Sequence, residues 1–148
     1  MKTVTNTFRV SINVPPETAF AYVSDLARHS EWNDGLRVEP LTSGPVSAGS
    51  QYRSWGKPGN RLNEIKITDY QPPTRFTFVS SQAGLEDVRH EFTFSAQGSG
   101  TLVERTVTAQ MPLLFEVVWR IVIWPLSDRP GMEKCLAALK NKLESSLT

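Results

Sequence analysis

The stretch MPLLFEVVWRIVIWP at residues 111–125, together with the helical pattern that follows it, decides how this chain folds. Between its prolines the stretch carries only two charges, Glu116 and Arg120, which lie one helical turn apart and are placed to pair. A membrane-spanning helix needs roughly 20 apolar residues, and residues 113–124 are too few. We therefore expect this stretch to be buried within the protein, in a partner or against a ligand.

The residues after this stretch predict an amphipathic helix over Pro130–Leu147, with charged side chains on the outer face. Pro125 and Pro130 are expected to kink or break the helical path, and Ser127 or Asp128 to cap the last segment. The stripe predicted to face inward contains Met132, Leu136, Leu139, Leu143 and Leu147.

Alternation of apolar and polar residues predicts strands before this helix, the first around Phe8–Val14. Two short helices follow, one beginning at Pro15–Pro16 and one over Asp25–Trp32. Short turns then favour antiparallel neighbours. Six further strands are predicted at residues 36–41, 50–55, 62–70, 75–80, 88–95 and 101–110. The expected fold is α+β: one domain over residues 1–148, in which a curved seven-stranded antiparallel sheet wraps around a long C-terminal helix.

Composition excludes several classes of function. The formal net charge of +1 gives no basic face for nucleic acid. The single Cys135 cannot form an internal disulfide and is expected in the core. Because His29 and His90 are the only histidines, we expect no set of metal ligands and no cofactor. No signal peptide is visible at the N-terminus, so a cytoplasmic protein is expected, either a monomer or a homodimer.

Four stretches resemble the START-like, or SRPBCC, superfamily, and within it the polyketide cyclase/dehydrase-type proteins. They are Val14–Asp25 leading to Glu31–Trp32, Ala48–Tyr52, Ile67–Phe76, and Phe92–Phe94 followed by Gly100–Val103. The resemblance implies a helix-grip fold with a deep pocket between the sheet and the C-terminal helix. It also implies an apolar ligand such as a lipid, polyketide or quinone, while leaving the chemistry open, because carriers and enzymes share this fold.

His90 is the candidate catalytic residue. It shares the strand phase of Val88, Phe92 and Phe94, which places it on the inner face of the sheet. An inward histidine suits proton transfer in a ring-closing or dehydrating reaction. The alternative is a core histidine that is hydrogen-bonded to a neighbour.

Arg105 shares the phase of Val103, Val107 and Ala109 and is expected to point inward. An unpaired buried guanidinium is costly, so it needs a carboxylate or a ligand oxygen, unless a bulge turns it to solvent. Internal salt bridge, exposure and ligand anchoring remain open.

Aromatic side chains are plentiful along the expected pocket, and such pockets are mostly apolar with a few placed polar groups. The predicted ligand-binding residues are Trp32, Trp55, Phe76, Phe78, Phe92, Arg105, Phe115, Trp119, Leu136 and Leu139.

Three functions remain open: a binding protein for a hydrophobic small molecule, a cyclase or dehydratase using His90, and an interaction module that docks a protein or a membrane surface through residues 113–124. As the lid of a pocket, that segment should turn Phe115 and Trp119 inward together. As a contact surface, it should be exposed. We favour the lid, because soluble monomers rarely expose a large apolar patch.

Overall fold

The computed structural model describes residues 1–56, 61–82 and 85–145. All seven strands form one sheet in the order β1-β7-β6-β5-β4-β3-β2, and every neighbouring pair is antiparallel. The strands are β1 (Lys2–Ile12), β2 (Arg37–Pro40), β3 (Gln51–Gly56), β4 (Arg61–Gln71), β5 (Arg75–Gln82), β6 (Leu85–Gln97) and β7 (Gly100–Met111). The predicted curved antiparallel sheet is confirmed.

Two short helices connect β1 to β2: α1 (Pro16–Val23) and a 3₁₀ helix over Leu26–Glu31. After β7 the chain is helical from Leu113 to Ser145, a span of 33 residues. It consists of α2 (Leu113–Val118), a π-helical segment (Trp119–Asp128) and α3 (Arg129–Ser145). The helix-grip α+β fold is therefore present, although the predicted turns at residues 57–60 and 83–84 and Leu147 lie outside the described residues.

The predicted break at the prolines is wrong. Pro125 lies inside the π segment, where the wider turn accommodates a residue that has no N–H to donate. The N–H of Arg129 donates to the carbonyl of Trp124, five residues back, so hydrogen bonding continues past the proline. Because α3 continues the π segment without interruption, Ser127 and Asp128 lie within the helical span and not at an N-cap position, and the Asp128 carboxylate accepts from Nε1 of Trp119.

Aromatic rings fill the half of the interior under α1. Phe76 stacks on Phe92 with ring centroids 5.0 Å apart, and the edge of Phe20 packs against both Phe76 and Phe94. The buried leucines of α3 belong to the same core. The face of the sheet that points away from the core is polar. It carries hydroxyl pairs such as Thr7–Thr106 and the ion pair Arg9–Glu104.

The segment 113–126 has two different faces. Trp119 is 9 % exposed and packs with Val88, Ala109 and Met111. Glu116 is also buried, and its carboxylate pairs with Arg120, as predicted, and with Lys2. Ile123 and Trp124 are half-buried and pack against the same cluster, and the remaining side chains of the segment are exposed. The exposed apolar residues are Leu113, Leu114, Phe115, Val117, Val118, Ile121, Val122 and Leu126.

The prediction that Phe115 turns inward with Trp119 is therefore wrong, since Phe115 is 43 % exposed. Only one edge of the helix can meet the sheet. In α2 and the start of the π segment that edge carries Glu116 and Trp119.

We predict opposite outcomes for two glutamate substitutions on this helix. Trp119→Glu places a carboxylate in a buried aromatic site and should lower the free energy of unfolding by about 3 kcal/mol or more. Leu114→Glu, at a side chain that is 84 % exposed, should change it by no more than about 0.5 kcal/mol. Urea unfolding at low protein concentration measures both, and equal effects would contradict this assignment of faces.

Candidate functional site: a cavity between the sheet and the helix

A cavity of about 620 Å³ lies between the sheet and the long helix, beyond the aromatic core. The sheet contributes inward residues of three adjacent strands, β1, β7 and β6. The π segment and α3 form the opposite wall, and the chain just after the 3₁₀ helix closes one side with Trp32, Asn33 and Asp34. The apolar lining includes Val4, Phe8, Val88, Val107, Ala109, Met111, Trp119, Trp124, Met132 and Ala138.

A polar pair interrupts the apolar sheet wall. Arg105 on β7 and His90 on β6 both point inward, and Nη2 of Arg105 donates to Nδ1 of His90 over 3.1 Å. Nε2 of the same imidazole lies 3.1 Å from the hydroxyl of Ser80 on β5. Three strands thus contribute to one buried network.

This network determines the tautomer of His90. A guanidinium can only donate, so Nδ1 is the acceptor, and the ring proton is on Nε2, which donates to Ser80. Burial, with the Arg105 charge second, holds the pKa of His90 well below its usual value. His90 is therefore neutral near pH 7, and both ring nitrogens are engaged.

Arg105 is 7 % exposed and lies between two phenylalanines, being paired with Phe8 on β1 and Phe92 on β6. Its guanidinium carbon is 5.2 Å from the centre of the Phe92 ring, a cation–π distance. Desolvation lowers the pKa of Arg105 to about 10, so the group stays charged at neutral pH. Of the three alternatives for Arg105, exposure to solvent does not hold, and an internal salt bridge is not seen: none of the ion pairs among residues 1–56, 61–82 and 85–145 includes Arg105.

Hydrogen bonds hold the helix wall in place. Nε1 of Trp119 donates to the carboxylate of Asp128 over 2.6 Å, which spans the π segment, and the Trp119 ring packs 5.1 Å from Trp124. The thiol of Cys135 on α3 donates to the side-chain oxygen of Asn33 over 3.4 Å. Burial raises the pKa of Cys135, which therefore remains a thiol and is a poor nucleophile.

The structure divides the predicted site residues into three groups. His90, Arg105, Trp32 and Trp119 line the cavity. The other inward-facing ones are packed in the core: Phe76, Phe78, Phe92, Leu136 and Leu139.

Two predicted residues lie elsewhere. The Trp55 ring, on β3, is covered by the guanidinium of Arg37 at 5.3 Å, and Phe115 faces outward. Neither lines this cavity. Strand phase predicts which face of the sheet a residue lies on, but not which strands border a cavity. Trp55 lies on β3, far from the strands β1, β7 and β6 that line this one.

Sequence analysis missed several cavity and network residues. Ser80 follows Phe76 and Phe78 in strand phase, and extending that alternation by two residues would have placed it inside. Asn33 and Asp34, which are not among the predicted site residues, also line the cavity. Their location depends on how the 3₁₀ helix packs, for which the local sequence has no signal.

His29 is a second buried histidine, and it lies outside the cavity lining. Its Nε2 donates to the carbonyl of Val23 over 2.7 Å, and its ring packs 4.6 Å from Trp32. Burial lowers the pKa of His29 to about 3. The bond to Val23 makes it a structural link between α1 and the 3₁₀ helix.

A family model described as "Polyketide cyclase / dehydrase and lipid transport" matches residues 1–144. The chain belongs to this family. No curated protein matches the sequence. Membership in this family is consistent with the fold and with a cavity in the interior. The description of the family covers both enzymes and lipid carriers.

Solved structures share the fold at low sequence identity. TTHA0849 from Thermus thermophilus is 17 % identical, with a TM-score of 0.74 over 98 % of this chain and 100 % of that chain. Ara h 8.0201 is also 17 % identical, with a TM-score of 0.69 over 97 % and 99 %. A protein of unknown function from Staphylococcus aureus, SA2116, is 12 % identical, with a TM-score of 0.75 over 99 % and 96 %. These similarities establish the fold and leave the ligand open.

Two further observations concern the described residues. No group of three or more His, Cys, Asp or Glu side chains among them is arranged to hold a metal ion. None of the described helices is both long enough and apolar enough to cross a membrane.

We predict that His29 makes folding sensitive to acid. Between pH 6.5 and 3 the unfolded chain binds a proton at His29 that the folded chain does not. The free energy of unfolding should therefore fall by about 1.4 kcal/mol for each pH unit lowered in that window. His29→Gln keeps an amide donor for Val23 and removes the titration, so its slope should be shallower by that amount. Urea unfolding across the pH range compares the two, and identical slopes would exclude this role.

Proposed function

We propose that this protein binds a hydrophobic or amphipathic small molecule in the cavity between the sheet and the helix. The observation that carries the proposal is a cavity of about 620 Å³ whose lining combines apolar and aromatic side chains with polar ones, among them the hydrogen-bonded pair Arg105 and His90. This volume is within the roughly 300–1,000 Å³ typical of ligand sites. Indole and phenyl surfaces would contact the ligand body, and the polar pair would orient its polar end.

Binding has more support than catalysis. A general base needs a free lone pair near the substrate, and the lone pair on Nδ1 of His90 accepts from Arg105. Its depressed pKa also makes the imidazole a weak base. A cyclase or dehydratase using His90 remains the alternative, and it would require the ligand to displace Arg105 or Ser80 from the ring.

Filling the cavity should abolish binding without unfolding the protein. Val107 points into the cavity from β7, and the much larger side chain of Val107→Trp would occupy the ligand volume. Wild-type protein should bind an apolar dye with micromolar affinity and transfer tryptophan emission to it, since Trp32, Trp119 and Trp124 line the cavity. We expect the variant to lose at least about tenfold in affinity, which corresponds to about 1.4 kcal/mol.

Thr108→Trp is the matched control, because Thr108 is the next residue on β7 and pairs its hydroxyl with Thr5 on the opposite face. It should bind the dye like the wild type. Fluorescence titration measures binding, and thermal melting verifies that each variant is folded. Equal binding by both variants would place the dye outside the cavity.

The exposed face of the helix supports a second candidate function. Leu113, Leu114, Val118, Ile121 and Leu126 expose a continuous apolar surface on the same helix that walls the cavity. We propose that this face inserts shallowly into a lipid surface, because bilayers hold apolar ligands and the face adjoins the cavity. With a net charge of +1, the attraction would be hydrophobic rather than electrostatic.

Vesicle binding tests this second proposal. Wild-type protein should co-float with phosphatidylcholine vesicles with little dependence on salt. The double variant Leu114→Ser/Ile121→Ser should bind at least tenfold more weakly, since each buried leucine or isoleucine contributes about 1.5–3 kcal/mol. Leu62→Ser, at an exposed leucine on β4, is the matched control. Concentration-dependent self-association that the double variant abolishes, without vesicle binding, would instead identify a contact between copies of this chain.

A further inference from the structure

The cavity contains a cation whose charge the protein leaves uncompensated. Arg105 is 7 % exposed, and its Nε is buried without a hydrogen-bond partner among the described residues. Two carboxylates also line the cavity, Asp34 and Asp128. Neither forms an ion pair with Arg105 in the described part of the chain, and Asp128 already accepts from Trp119.

The groups that do contact Arg105 compensate it only in part. His90 is a neutral acceptor and takes one of the five N–H donors that a guanidinium carries. The Phe92 ring offers its electron-rich face, a contribution that is small compared with the cost of removing a full charge from water. A guanidinium with free N–H donors is the protein group best suited to bind both oxygens of one oxyanion.

Strand pairing holds this cation in place. Arg105 pairs with Phe8 on one side and with Phe92 on the other, so both neighbouring strands place an aromatic side chain beside it. His90 binds Nη2 and is itself held by Ser80. The guanidinium is therefore positioned before any ligand arrives, which lowers the entropic cost of binding.

We infer that the ligand of this cavity is an acidic amphiphile, whose carboxylate or similar compact oxyanion is bound by Arg105 while its apolar body lies against Trp119, Trp124 and Met132. This inference rests on the proposed binding function and adds the chemical class of the ligand. The anion supplies a counter-charge that none of the described residues provides through an ion pair.

Paired ligands that differ only in the head group test the inference. Dodecanoate and dodecanol share one aliphatic body, and 2-naphthoate and 2-naphthylmethanol share one aromatic body. At pH 7.5 we expect the acid of at least one pair to bind wild-type protein about 10- to 100-fold more tightly than its alcohol, the usual range for a charged hydrogen bond. The pair that binds identifies whether the ligand body is aliphatic or aromatic.

Arg105→Met keeps the length of the side chain and removes its charge. It should lose the preference for the acid while binding the alcohol within about threefold of the wild type, because the apolar walls are unchanged. Its thermal midpoint without ligand should change little, because removal of a buried charge offsets the loss of the hydrogen bond to His90. If Arg105→Met does not fold, Arg105→Lys retains the charge with fewer donors and should show a reduced preference for the acid.

Arg9→Met is the matched control, because Arg9 lies on β1 and its side chain pairs with Glu104 on the outer sheet face. It should retain the full preference for the acid. Calorimetric titration measures each affinity. Equal affinities for acid and alcohol in the wild type would overturn the inference and leave the binding function in place. No binding of any of the four ligands would overturn both.

Discussion

The contact between the inner face of the sheet and the helix over residues 113–145 determines the rest of this structure. In its C-terminal half, the buried leucines of α3 belong to the same core as the aromatic rings of β5 and β6. In its N-terminal half the helix contributes Glu116 and then the indoles of the π segment. The interior is therefore filled at one end and open at the other. The cavity results from this unequal packing, and the residues that border it come from both layers.

The same contact explains the polar pair. A sheet residue opposite a well-packed part of the helix has to be apolar, because the cost of burying an unsatisfied polar group exceeds what a hydrogen bond returns. Opposite the cavity that requirement is relaxed. Arg105 and His90 lie on the inner face where the helix stands away from the sheet, and Ser80 completes their network. Their position beside the cavity lets the sheet bury polar side chains without interrupting the packed core.

The strands and their faces could be predicted from the sequence, because side-chain direction alternates with a period of two residues. That period placed His90 and Arg105 inside, and the helical period placed Leu136 and Leu139 against the sheet. Neither period could locate the empty volume, which depends on side chains from β1, β7, β6 and the helix together. For the same reason Phe76 and Phe92 became core residues instead of cavity residues.

Local rules also failed where backbone geometry changed. Proline normally ends an α-helix, yet Pro125 lies inside a π segment and the hydrogen bonding continues past it, from the N–H of Arg129 to the carbonyl of Trp124. The change in helical repeat also alters which side chains face the sheet. Phase arguments based on an α-helix therefore do not carry across this segment.

The pairing of β1 with β7 has a consequence for how the protein acquires its cavity. Lys2 lies opposite Met111 and Ile12 opposite Thr101, so the first strand is held by contacts very distant in sequence. Such contacts form late, because a long loop has to close before any of them stabilises the chain. During synthesis, β1 would wait with an unpaired edge until β7 leaves the ribosome, and the helix that covers the cavity follows later still. A nascent chain therefore has no complete cavity until β7 and the helix have been synthesised. Until then, the edge of its first strand remains unpaired and open to non-native pairing.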